Sequence, residues 1–312
     1  MTRKKTIRIF YRAAAHVPLW KVMEEGGFLD KHGLEMQFGS MEGLRRKAME
    51  RLRVGELDII SGNHHNLYAR RALGREPFIH IAQPSNVWGA HWMVAGQGIQ
   101  KVEDLKGKRV LIDDPDSHPG LSVWLYLRLR GLEGEEGVEL VNGGGKTTDR
   151  VRKVMAGEYD ATFVGAVDHM KARAAGANVV EVSTIPMIEG VTLTTTTTYV
   201  NSHEEEIRGL LLALVDTIHF FKTRRHDTLD IINRTCRDLL RLQSDEELAT
   251  FYENQASTLE RKPYPSTEAI QNVFALALKT SPEIQGFNPI AMWDLHYLRE
   301  IDDSGYIDRL YA

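Results

Sequence analysis

Histidine, arginine and serine gather at a few points of this chain, each time just past a short apolar run. YRAAAHV supplies Tyr11, Arg12 and His16, SGNHHN supplies Asn63, His64 and His65, DDPDSHPG supplies Asp114, Ser117 and His118, and VGAVDHM supplies Asp168 and His169. A guanidinium beside the first turn of a helix suits an anion, because backbone N–H groups and the helix dipole favour negative charge there. Imidazoles titrate near neutral pH and can exchange protons. QPSNVWGAHWM adds Trp88, His91 and Trp92, an aromatic and imidazole surface fit for a flat, partly apolar ligand with a charged group. Each group also has a plainer reading: Arg12 as a solvated charge, Ser117 as a helix cap, Asp168 and His169 as a cap and a surface imidazole. Arg70 and Arg71 follow HHN on a helix and read as exterior.

Two other chemistries are set aside by spacing. Histidines 16, 64, 65, 91, 118 and 169 include no HxxxH or HxH pair, so no metal site is expected, and no cofactor either. NGGGKTT resembles a phosphate loop, but G-x-x-x-x-G-K-[ST] requires glycine where Leu140 stands, which leaves a flexible loop with Lys146 able to reach an anion. The single cysteine, Cys236, excludes an internal disulfide and a four-thiolate zinc site. A net charge of -4 with scattered Lys and Arg argues against nucleic acid as a partner.

The elements that must position these groups alternate. Strands are expected at 6–10, 35–38, 57–61 and 78–82, with helices at 17–25, 41–54 and 67–73 between them. The rhythm restarts near residue 100, with strands at 109–112, 138–141, 161–164 and 179–182 and helices at 121–132, 147–156 and 168–175. Such alternation predicts a parallel sheet built by crossovers in each half. GELDIISGNHH in the first half is echoed by GEYDATFVGAVDH in the second, as if two α/β units of one plan stood in tandem. VTLTTTTTYV, 191–200, reads as an extended β segment. After it come helices almost to the end, with Ser202/Glu205 and Ser244/Glu247 at capping-box spacing.

At 312 residues the chain exceeds the size at which single cores divide, so two lobes are natural. No apolar window is long enough to span a membrane, so membrane insertion is not expected. Arg8 and Arg12 interrupt any apolar stretch after MTRKK, so a cytoplasmic location is the expectation, or a periplasmic one had a leader been removed.

Several stretches in order, HVPLWKVMEEGGFLDKHGLEMQF, RLRVGELDII, REPFIHIAQ, IQKVEDLKGKRVLID, KVMAGEYDATFVG and KARAAGANVV, resemble the solute-binding proteins for nitrate, sulfonates and taurine and the related thiamine-pyrimidine synthases, over roughly residues 6–200. The resemblance implies an α/β, two-lobed type II periplasmic-binding-protein fold with a helical C-terminal tail packed on lobe 1. Lobe 1 would comprise 1–92 and 194–312, and lobe 2 93–193, with crossovers near HWMVA (91–95) and in the threonine-rich strand. Ligand would be caught in the interlobe cleft, with Ser117 where such proteins hold a carboxylate or sulfonate oxygen and one tryptophan of the pair at 88 and 92 used in hinge packing.

Two functions follow from that resemblance. The first is capture of a small anionic ligand, aromatic or bearing a sulfonate or carboxylate, with an ABC transporter permease as partner if the chain is exported. The second is a cytoplasmic lyase of decarboxylase or desulfinase type, in which His64 or His65 acts as the catalytic acid and Arg12 or Ser117 holds the carboxylate. The desulfinase chemistry relies on a cleft cysteine and the thiamine-pyrimidine synthases on a cysteine-rich segment. This sequence has only Cys236, far along in the tail.

Overall fold

The computed structural model describes residues 4–38, 47–62, 64–74, 76–134 and 136–312. The first part of the expected helix at 41–54, and Asn63, lie partly or wholly outside the described residues. By internal contacts the chain divides into unit 1, residues 1–86, 188–271 and 283–312, and unit 2, residues 87–187 and 272–282.

The chain begins with strand β1 (Lys5–Tyr11) and helix α1 (Val17–Glu25), which has Pro18 in its first turn and buries Val17, Leu19, Trp20, Val22 and Met23. Helix α2 (Phe28–Lys31), β2 (Leu34–Phe38), α3 (Ala48–Arg53), β3 (Ile59–Ser61), α4 (His65–Ala72) and β4 (Phe78–Ala82) follow. Unit 2 opens with β5 (Trp92–Ala95) and continues through β6 (Arg109–Ile112), α5 (His118–Arg128), β7 (Glu139–Asn142), α6 (Thr147–Met155), β8 (Ala161–Val164), α7 (Ala166–Ala174) and β9 (Asn178–Glu181). Its sheet runs β7-β6-β8-β5-β9. β6 is parallel to β7 and β8, whereas β5 is antiparallel to both its neighbours, β8 and β9. The stretch expected as a crossover, 91–95, is therefore a strand paired on both sides.

The chain then runs through β10 (Leu193–Thr196), α8 (Thr197–Ser202), α9 (Glu204–Thr223), α10 (Arg225–Leu240), α11 (Asp245–Thr258), α12 (Thr267–Thr280), α13 (His296–Asp303) and α14 (Tyr306–Leu310), all in unit 1 except α12 from residue 272 on. The unit 1 sheet runs β2-β1-β3-β10-β4, with β10 antiparallel to β3 and β4. The expectation of purely parallel sheets is thus corrected: each sheet carries one antiparallel strand, and in both cases it is the strand entered directly from another strand with no helix before it.

The threonine run is also shorter as a strand than its composition suggests. Thr194 and Thr195 are wholly buried and donate to the carbonyls of Gly62 and Asp58 at 3.1 and 2.7 Å. The Thr196 hydroxyl instead accepts from the Tyr199 N–H at 3.1 Å, which caps a helix, and the chain turns into α8. The cap expected at Ser202 is absent, because its hydroxyl donates to the Thr198 carbonyl, whereas Ser244 does accept from Glu247 N–H and caps α11.

Most of the helical tail belongs to unit 1, and residues 272–282, which include the greater part of α12, group with unit 2. α9 buries Ile207, Leu210, Leu211, Leu214, Val215, Ile218 and Phe221 at helical spacing against α1 and α2. Asp216 on α9, 3 % exposed, receives His32, Lys31 and Tyr306, the last from α14, at 2.7, 2.8 and 2.8 Å. Burial opposes its ionisation, but these donors outweigh burial and hold its pKa below the usual carboxylate value. No helix among the described residues is long and apolar enough to cross a membrane.

Candidate functional site

The two halves of the echoed motif occupy opposite ends of a strand. Gly55 and Gly157 take φ of +76° and +73°, the left-handed backbone that ends a helix just before β3 or β8. Gly62 and Gly165 come at the carboxyl ends of those strands, where open α/β sheets release groups that meet ligands.

In unit 1 these carboxyl ends carry a closely bonded polar group. Arg12 follows β1, and its N–H donates to the Ser61 carbonyl at 3.0 Å. His16 is buried, and its Nδ1 lies 3.1 Å from the same carbonyl. Burial pushes its pKa down to about 4, with Arg12 adding to the shift, so the ring is neutral at neutral pH and Nδ1–H donates to the carbonyl. Tyr11 meets Phe38 edge-on at 5.8 Å. His64 precedes α4 and its Nε2 is 3.3 Å from the Gly190 carbonyl, while His65 is buried as the first residue of α4. Gln83 extends the cluster, donating to Glu189 O at 2.9 Å and accepting from Thr192 at 2.6 Å. Tyr11, Arg12, His16, His64 and His65 thus share one end of the unit 1 sheet.

In unit 2 Ser117 is the N-cap of α5. Its oxygen accepts from Gly120 N–H at 3.0 Å and lies 2.7 and 2.8 Å from Asp113 Oδ1 and the Asp114 carbonyl, the two acceptors its one proton can serve. A Cβ on Gly120 would stand 2.0 Å from the Asp114 carbonyl oxygen, so this turn requires glycine. His118 opens α5; Asp114 is exposed and accepts from Asp116 N–H at 2.8 Å. Asp168 lies in the first turn of α7, which Gly165 precedes as N-cap. Trp92 stacks on His169 with centroids 3.9 Å apart and lies 5.4 Å from the His91 ring. Burial lowers the pKa of both His91 and His169. Trp88 is placed in the core, 2 % exposed, against Tyr126 and Phe163 at 4.9 and 5.5 Å. Arg70 is paired with Glu76, and Cys236 is buried in α10 with its thiol pKa raised by burial.

Sequence reasoning passed over Arg150. It lies on α6 and is 8 % exposed as a residue, bonded to Gly144 O, Thr162 Oγ1 and Thr147 Oγ1 at 2.6, 3.3 and 3.4 Å. Its position four residues before the buried Val154 was the available signal, since i and i+4 share a helix face. A cavity of about 380 Å³ lies between α6 and α7, lined by Val151, Met155, Ala172 and Ala175 with Thr147 and Asp168 at one end. Among the described residues no group of three or more His, Cys, Asp or Glu could hold a metal ion.

A family model described as "ABC transporter, phosphonate, periplasmic substrate-binding protein" matches residues 45–236, more than half of the chain. No curated protein sequence matches it. Among solved structures it is similar to a putative sulfonate ABC transporter periplasmic sulfonate-binding protein, SsuA, from Methylobacillus flagellatus, with a TM-score of 0.71 and 13% identity over 98% of this chain and 96% of that one. It is also similar to the periplasmic aliphatic sulphonate binding protein SsuA from Escherichia coli, with a TM-score of 0.68 and 15% identity over 93% and 92% of the two chains. A desulfurization enzyme, DszB, aligns with a TM-score of 0.66 and 14% identity over 97% of this chain and 100% of that one. At such identities these likenesses show the fold alone, the type II periplasmic-binding fold.

Proposed function

Because the chain belongs to the phosphonate-type periplasmic substrate-binding proteins of ABC transporters, we propose that it captures a small organic oxyanion, a phosphonate, sulfonate or carboxylate, at the carboxyl ends of its parallel strands. Unit 1 has Arg12 with Tyr11 beside it at these ends, and unit 2 has polar loops of its own at His118 and Asp168. The observation that carries this reading is the Arg12–His16–Ser61 group. His16 is neutral and donates to the Ser61 carbonyl that also receives Arg12 N–H, so it fixes the loop that carries the guanidinium. On this reading the partner is the permease of an importer and the working compartment is the periplasm, in keeping with the family's description. His64 and His65 are then positioning groups of this loop cluster. The lyase alternative rests on histidine acid–base chemistry without a cysteine nucleophile, and Cys236, enclosed in α10, adds nothing to it.

The test is calorimetric titration of the purified protein with ethylphosphonate, ethanesulfonate, taurine and benzoate, alongside mass spectrometry of small molecules released from natively purified protein. Binding of one of these acids unchanged, weakened at least tenfold by Arg12→Met, is the expected result. A neutral co-purified ligand with no response to any acid, or turnover of a bound acid, would overturn the proposal.

A further inference from the structure

The family resemblance implies that the ligand's acidic group sits at Ser117, yet the hydroxyl there is engaged by Gly120 N–H, Asp113 and Asp114, and the turn is acidic, with Asp113, Asp114 and Asp116 in sequence. Negative charge at that turn is repelled by its neighbours.

Arg150 offers the opposite environment in the same unit. Its guanidinium is buried beside the loop that leaves β7 and against Thr162 of β8, and all of its bonds go to uncharged oxygens, those of Gly144, Thr162 and Thr147. Those bonds engage three of the five N–H donors of an arginine, which leaves two. Thr162 is itself fixed, donating to Leu111 O at 2.9 Å. Gly143 makes room for the arginine stem, since a Cβ there would stand 3.0 Å from its Cγ and Cδ. Burial lowers the pKa of Arg150, while Asp113 and Asp168 act on it from a distance in the opposite direction. A buried cation with no directly bonded anion is costly, and an arriving oxyanion removes much of that cost. A guanidinium fork also matches two oxygens of a phosphonate, sulfonate or carboxylate in a way that an ammonium does not.

We infer that Arg150 is the unit 2 residue that holds the oxyanion of the ligand, with its two remaining N–H donors directed to two ligand oxygens beside the Gly143–Gly145 loop. This inference rests on the oxyanion reading of the function and adds the residue that would select it.

The experiment takes whichever of ethylphosphonate, ethanesulfonate, taurine and benzoate binds the wild-type protein and repeats the titration with Arg150→Met, Arg150→Lys and Arg152→Met. Arg152 stands two residues along α6 and is exposed, so its variant makes the same charge change away from the site. Expected are a loss of about 100-fold or more for Arg150→Met, about tenfold for Arg150→Lys and under threefold for Arg152→Met. If Arg150→Met does not fold, as judged by circular dichroism and thermal unfolding, Arg150→Lys decides by the same criterion. Wild-type affinity within threefold in the folded Arg150 variant, or an equal loss in Arg152→Met, overturns the inference and leaves the function intact. A wild-type protein that binds none of the four acids overturns both.

Discussion

Asp58 and Arg8 hold each other from both sides. The Asp58 N–H donates to the Arg8 carbonyl at 2.9 Å, and the Arg8 N–H and Nε donate back to the Asp58 carboxylate at 2.7 and 2.9 Å. Asp160 and Arg109 repeat the backbone half of this exchange in unit 2, at 3.0 and 2.7 Å. The repeated Gly-Glu-x-Asp is therefore a device for registering one parallel strand against the next at the amino end of the sheet, far along the strand from the polar loops.

The two aspartates differ in burial, with side chains 3% and 31% exposed. Asp58→Asn is expected to cost ~3 kcal/mol, because it unbalances a buried charge pair, and Asp160→Asn ~1 kcal/mol. Urea unfolding of the two variants measures this, and an equal or reversed order would remove the burial argument.

Stability should fall in mild acid. Burial pushes His16 down to about 4 and His80 to about 3, from an ordinary value of 6.5. Between those values the unfolded chain binds protons that the folded chain refuses. The contribution is therefore complete above pH 6.5 and is lost as the pH falls, by roughly 2 kcal/mol per histidine on reaching pH 5. Urea midpoints at pH 7 and 5 read the slope, which His16→Gln should reduce by about half.

Thr196→Ala is expected to destabilise the protein by ~1 kcal/mol through loss of the α8 cap. Thr198→Ala, an exposed neighbour in the same run, should change it by less than ~0.5 kcal/mol. Thermal unfolding of the pair separates the roles of adjacent, compositionally identical residues.

Gly120→Ala forces the Asp114 carbonyl aside and should cost ~2–3 kcal/mol, whereas Gly145→Ala, which has no neighbour within 4 Å, should be nearly neutral. Comparable effects from the two would show that the α5 turn yields easily.

Strands β4, β6 and β8 and helix α1 fall where the residues indicate, because each is an apolar run closed by glycine or a polar turn, and local pattern suffices for such segments. The strand directions of β5 and β10 are not local facts. Both sequences look like any other strand, and only their partners make them antiparallel. The candidate site was legible as loops and obscure as contacts. Arg12 and His16 are brought to one carbonyl, but Trp88 is enclosed by Tyr126 and Phe163, which come from elsewhere in the chain. Arg150 was hidden because TTDRVRKVM reads as a polar helix with charges outward, and its inward turn depends on glycine at 143 making the space.

β10 lies between β3 and β4, although about 110 residues separate it from β4 along the chain. A growing polypeptide therefore emerges with a vacant slot in its first sheet, and residues 87–187 are synthesised before the strand that fills it. Those residues can reach their own fold while the first sheet waits open, so refolding should show at least two phases, the slower reporting the arrival of Leu193–Thr196.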